Sequence, residues 1–113
     1  MNTEQKGYVY LLGDYNNEGV YKIGVTRGKI ENRIKKLQTG NSGEIYLIKS
    51  FETYCPFFIE RLLHKTYQFK KVMNEWFELT KEEIDNFETK CTAYQKLYDI
   101  NEEIKKNMEP VSL

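Results

Sequence analysis

The chain predicts an α+β fold, with three short strands, two amphipathic helices set among and after them, and a long helix closing the sequence. Three observations carry this expectation. Residues 7–25 hold two runs of aromatic and branched side chains separated by the turn-forming stretch DYNNEG. Apolar residues then recur at helical spacing in three later segments. The last segment opens on a Thr-x-x-Glu box, Thr80 to Glu83.

Residues 7–12 (GYVYLL) and 20–25 (VYKIGV) read as strands, and the polar loop between them makes the pair an antiparallel hairpin. Gly28 breaks the second strand, and a helix is expected from Lys29 or Ile30. Ile30, Ile34 and Leu37 form its apolar stripe. Arg33 lies one step off that stripe, with Lys29 and Lys36 on its side at i−4 and i+3. Gly40 is the expected C-cap. Residues 44–53 read as a third strand. Pro56 suits the first turn of a second helix running to about Phe69, which buries Ile59, Leu62, Leu63 and Tyr67. Glu60 and His64 are i, i+4 on that helix, with Tyr67 near their face at i+7. Residues 74–79 (NEWFEL) read as an ordered connector. Beyond Thr80, the residues Ile84, Phe87, Cys91, Tyr94 and Tyr98 predict a helix from Lys81 to at least Tyr98, extending to Lys106 if a break is allowed. Its stripe can pack on the domain or pair two chains as a homodimer.

The 113 residues suffice for one domain with a modest core. The expected organisation is a flexible N-terminus over 1–6, a domain over 7–79 and a helical extension over 80–113. No apolar run reaches the roughly 18 residues of a membrane span, and MNTEQKG has no apolar signal core. Cys55 and Cys91 lack metal-site spacing. Reduced thiols in an intracellular protein are the expectation. Net charge is zero, which argues against binding nucleic acid through bulk charge. Its distribution is uneven: residues 1–74 hold twelve Lys/Arg against seven Asp/Glu, and residues 75–113 hold five against ten. Six basic residues fall between Lys22 and Lys36, with Glu31 the one acid among them, so a local phosphate-binding face is open to this chain.

Several side chains carry potential chemistry beside an ordinary structural role. Tyr10 is a half-buried strand tyrosine, or a phenol that activates water if nearby Lys22 and Arg33 lower its pKa. Lys22 is a strand charge, or steadies a phosphate or a tyrosinate. Arg33 is a solvated helix arginine, or a planar clamp on a phosphate. Arg27, Lys29 and Lys36 extend that basic face. Glu60 is a surface carboxylate, or one ligand of a divalent cation whose other ligands are water and phosphate. His64, the single histidine, is structural, or contacts phosphate or protonates a leaving oxygen. No zinc, P-loop or serine-triad pattern is present.

The joint order of these residues resembles the GIY-YIG nuclease family. Tyr8-Val9-Tyr10 falls at the first signature, Lys22-Ile23-Gly24 at the second, Arg33 at the helix arginine and Glu60 at the metal-binding glutamate. More closely, YVYLL, YKIG-x-T, R-x-x-x-L-Q-T, E-x-x-x-H and EWF in succession resemble the viral and bacterial, phage T5 orf172-like branch, over about residues 7–79. Lys22 stands where the signature has tyrosine, Tyr21 beside it points to the other face of the strand, and Leu37 stands where many members carry His or Tyr. The resemblance implies a three-stranded antiparallel sheet flanked by helices and hydrolysis of DNA phosphodiesters assisted by one Mg2+ or Mn2+. In that scheme Tyr10 is the base or proton relay for water, Glu60 holds the metal, and Arg33 binds the scissile phosphate. A non-catalytic DNA-binding module of the same fold is the alternative.

Overall fold

A computed structural model describes residues 6–108. The flexible stretch expected over 1–6 lies, apart from Lys6, outside the described residues, as do the last five residues of the C-terminal extension. The elements are β1 (Gly7–Asp14), β2 (Val20–Thr26), α1 (Ile30–Thr39), β3 (Ile45–Thr53), α2 (Pro56–Thr66), a 3-10 turn (Gln68–Lys70), β4 (Lys71–Met73), β5 (Trp76–Glu78), α3 (Lys81–Asp85) and α4 (Phe87–Asn107).

The strands form one antiparallel sheet in the order β3-β1-β2-β5-β4. The sheet therefore has five strands rather than the expected three. Residues 74–79 are not a plain connector: β4 and β5 form a hairpin across a turn in which Asn74 has φ 52. Each of these strands has three residues, too few to display alternation, so their pairing shows only in three dimensions.

β1 is an interior strand buried on both faces, which explains its near-continuous apolar run. Val9 and Leu11 join the larger core with Ile23, Ile59, Leu63, Phe77, Phe87 and Cys91. Tyr10 and Leu12 point the other way, onto Ile45 and the Ile34 and Leu37 side chains of α1. Thus α1 covers one face of the sheet, and α2 with α4 covers the other.

The capping box at Thr80 is present. The Glu83 N–H donates to Thr80 Oγ1 at 3.2 Å, and the Thr80 N–H donates to Glu83 Oε1 at 2.9 Å. The helix it starts is short. It ends at Asn86, and α4 follows directly and runs to Asn107, so the break falls near the start of the predicted helix. The predicted stripe packs inward: Ile84, Phe87, Cys91, Tyr94 and Tyr98 all lie against the larger core. Tyr67 also differs from expectation. α2 ends at Thr66, so the i+7 relation to Glu60 is not helical, and Tyr67 turns into the core, where its hydroxyl finds no hydrogen-bond partner among the described residues. Both cysteines are buried, and among the described residues neither forms a disulfide. Among the described residues no helix is long and apolar enough to cross a membrane.

Candidate active site

β5 pairs with only three residues of β2, ending at Lys22 opposite Trp76. The Ile23 N–H still donates to the Glu75 carbonyl at 3.1 Å, and past that bond the edge of β2 runs alongside α2. His64 Nε2 lies 2.9 Å from the Ile23 carbonyl oxygen, the position a further strand would occupy. This seats α2 beside the exposed edge and brings Glu60, one turn earlier, to the end of the sheet.

A cleft of about 220 Å3 opens there, lined by Tyr10, Lys22, Val25, Arg33, Leu37, Phe57, Glu60 and Glu75. Four of the residues singled out from sequence, Tyr10, Lys22, Arg33 and Glu60, thus meet in one place from four elements. Tyr10 and Lys22 share a sheet face because the hairpin register pairs Tyr10 with Gly24 and Leu12 with Lys22. Tyr21 packs against the opposite core, as its parity requires. Gly24 makes room for the phenol: a Cβ at that position would lie 2.5 Å from Tyr10 Oη and 2.7 Å from its ring. The absence of a side chain at Gly24 therefore permits the Tyr10 ring to lie against the neighbouring strand.

The electrostatics divide these groups. Burial pushes the Tyr10 phenol up to about 12. Arg33 pulls it down, and Glu75 and Glu60 push it further up. The expected lowering by Lys22 and Arg33 is not found. Arg33 acts in the anticipated direction but is outweighed, and Lys22 spends its charge on Glu75, with Nζ to Oε1 at 2.9 Å. The same ammonium sits 5.8 Å from the Trp76 ring centroid. Arg33 is half-buried, and its guanidinium makes no hydrogen bond or ion pair with a described residue. An unspent arginine fork facing a cleft is a ready anion clamp.

Glu60 is held above the ordinary carboxylate range, first by burial. His64, with Nε2 3.9 Å from Oε2, and Lys22 offset that effect, and Glu75 adds to it. A carboxylate so poorly neutralised gains from a cation. The donor set fits one hard divalent ion: carboxylate oxygens from Glu60 and the neighbouring Glu75, with no thiol or imidazole facing the cleft. Among the described residues no group of three or more His, Cys, Asp or Glu could encage a metal, so the remaining ligands would be water and substrate oxygens.

His64 lies outside the cleft. Its Nε2 is engaged by the Ile23 carbonyl, and its ring packs edge-on against Phe77 at 4.9 Å. Arg27, Lys29 and Lys36 also lie outside but are not remote. Arg33 lines a second cavity of about 560 Å3 together with Lys29, Lys35 and Lys36. Lys29 continues into a third, of about 750 Å3, with Lys6, Tyr8 and Arg27. Shared walls join the three into one cationic path around α1.

Glu75 and Phe57 were not singled out from sequence. Glu75 is the glutamate of the EWF motif, hidden because its segment reads as a connector. Phe57 is half-exposed on the first turn of α2 with the Arg27 guanidinium 5.4 Å from its ring centroid. Nothing in the sequence distinguishes it from its neighbour Phe58.

A family model described as T5orf172 domain matches residues 7–91, from β1 into α4. No curated protein and no solved structure matches the chain.

Proposed function

The chain belongs to the T5orf172 domain family, a nuclease-like or DNA-binding class of module, and on that footing we propose that it is a metal-dependent DNA endonuclease that hydrolyses phosphodiester bonds. The observation that carries the reading is the convergence of Tyr10, Arg33 and Glu60 in one cleft that opens onto a basic path.

In this reading the DNA backbone follows Lys29, Lys35 and Lys36 along α1, and the scissile phosphate reaches the Arg33 fork. Arg33 orients that phosphate and meets the extra negative charge of the transition state without having to leave another partner. Tyr10 is a neutral phenol at physiological pH, as an ordinary tyrosine is, and burial, which pushes its pKa up to about 12, disfavours the tyrosinate further. It therefore serves as a relay rather than a resident base. Its oxygen accepts the proton of the attacking water as its own proton passes onward to solvent or a phosphate oxygen. Lys22, tied to Glu75, fixes the far wall of the cleft. Glu60, with Glu75 beside it, would hold Mg2+ or Mn2+, which supplies Lewis-acid stabilisation of phosphate and leaving oxygen. His64 acts on Glu60 by position, locking α2 to the edge of β2.

The raised Tyr10 pKa and the commitment of Lys22 to Glu75 favour a second reading, a DNA-binding module without catalysis. Supercoiled plasmid with Mg2+ or Mn2+ separates the two. The nuclease reading expects nicking by the wild type and a loss of roughly 100- to 1000-fold in Arg33→Ala, together with a marked loss in Tyr10→Phe. Salt-sensitive plasmid binding with no nicking in either metal would establish the binding module instead. Nicking unchanged in Tyr10→Phe would remove Tyr10 from the mechanism.

A further inference from the structure

α4 has two apolar faces, and the core occupies one of them. Phe87, Cys91, Tyr94 and Tyr98 pack inward. Ala93, Leu97, Ile100 and Ile104 lie about a third of a turn round the helix, at the 4-3-4 spacing of a coiled-coil seam. All four are exposed, Leu97 at 41%, Ile100 at 55% and Ile104 at 48%, and Met108 continues the line at 74%. Every residue from Asp99 to Met108 is exposed, so the last turns of α4 extend past the domain. A lone helical projection of that length has little reason to hold in water unless its apolar side is covered.

We infer that this seam pairs antiparallel with the α4 seam of a second copy of the chain. Charge complementarity selects that occupant and that direction. Lys96 and Glu103 flank the seam on the side turned away from the domain. In an antiparallel pair that sets Leu97 against the partner's Ile100, and Ala93 against the partner's Ile104, each Lys96 faces the partner's Glu103. Two such pairs form about the two-fold axis. A parallel pair would set Lys96 against the partner's Asn101 and Glu103 against the partner's Met108, and neither contact is ionic. The four layers span less than two heptads, residues 93–104, which makes the dimer a weak, concentration-dependent one. The result is a particle carrying two clefts, since no seam residue lines the cleft of Tyr10, Arg33 and Glu60.

Sedimentation equilibrium on the full chain from about 10 μM to about 1 mM tests this. The average mass should climb from one chain, 13.5 kDa, towards twice that value. Leu97→Glu, at an exposed position, should weaken association by about tenfold or more while the circular dichroism spectrum of the domain is kept. Lys96→Glu and Glu103→Lys should each weaken it, and the double variant, or an equimolar mixture of the two single variants, should restore it. A mass that stays at one chain throughout would overturn the inference and leave the seam to another partner. Association indifferent to the charge variants would overturn the antiparallel pairing. Plasmid nicking is not the readout, so failure here is distinct from failure of the nuclease reading.

Discussion

Glu60→Gln is expected to reduce metal-assisted plasmid nicking by more than about 100-fold while the variant remains folded and still binds DNA at low salt. Loss of a group that merely supports a metal ligand costs about 10- to 100-fold in comparable sites, and Glu60 is itself the candidate ligand. The substitution keeps shape and removes charge. Its effect on stability has the opposite sign. Burial holds the Glu60 carboxyl above its ordinary range in the native state, so the ionised form opposes folding. A raised native pKa contributes stability that is present below the unfolded-state value and lost as pH rises through the native one. At neutral pH the wild type has lost that contribution, and Glu60→Gln, which cannot ionise, should be at least as stable. The difference should disappear as pH falls below the carboxylate range. A variant that loses activity and stability together at pH 7 would show that Glu60 serves the fold instead. Such an inverse relation between stability and activity is the mark of a functional carboxylate.

Phe77→Ala is expected to cost about 3–5 kcal/mol, the range for removing a large aromatic from a packed core. Phe77 is fully buried, faces Tyr21 across the β2–β5 pair, and meets the His64 ring at 4.9 Å. It ties the short β5 strand to α2, and so links the turn that carries Glu75 to the helix that carries Glu60. For a domain of ordinary stability, about 5–15 kcal/mol, the loss leaves a marginal protein. Urea denaturation with an unchanged m-value measures it. A cost below about 1 kcal/mol would mean that the β4–β5 hairpin is peripheral to the core, contrary to the packing described.

The parts legible in the sequence were those with a long local pattern. β1, β2, α1, β3 and α2 each carry enough residues to reveal a period or a breaker, and Thr80 with Glu83 announces a helix start through two side chains alone. The β4–β5 hairpin escaped because three-residue strands have no period and because their partner, β2, lies some fifty residues earlier. The site was legible to the extent that parity governs it. Strand alternation places Tyr10 and Lys22 on one face and Tyr21 on the other without reference to tertiary structure. The direction of the Tyr10 pKa shift was not legible. It depends on how far burial outweighs one arginine, and on Lys22 being claimed by Glu75, a residue 53 positions away. The outward seam of α4 was masked for a related reason. The inward stripe is the more aromatic of the two and dominates the pattern, and only the packed structure shows which of the two faces the core has covered.

The proposed mechanism places one divalent cation on Glu60, beside Tyr10 and Arg33. Anomalous diffraction from a crystal of the protein soaked in manganese tests it most directly. A single strong peak is expected against the Glu60 carboxylate, within the cleft bounded by Arg33 and Glu75. A peak placed elsewhere, or none at a manganese concentration that supports nicking, would contradict it.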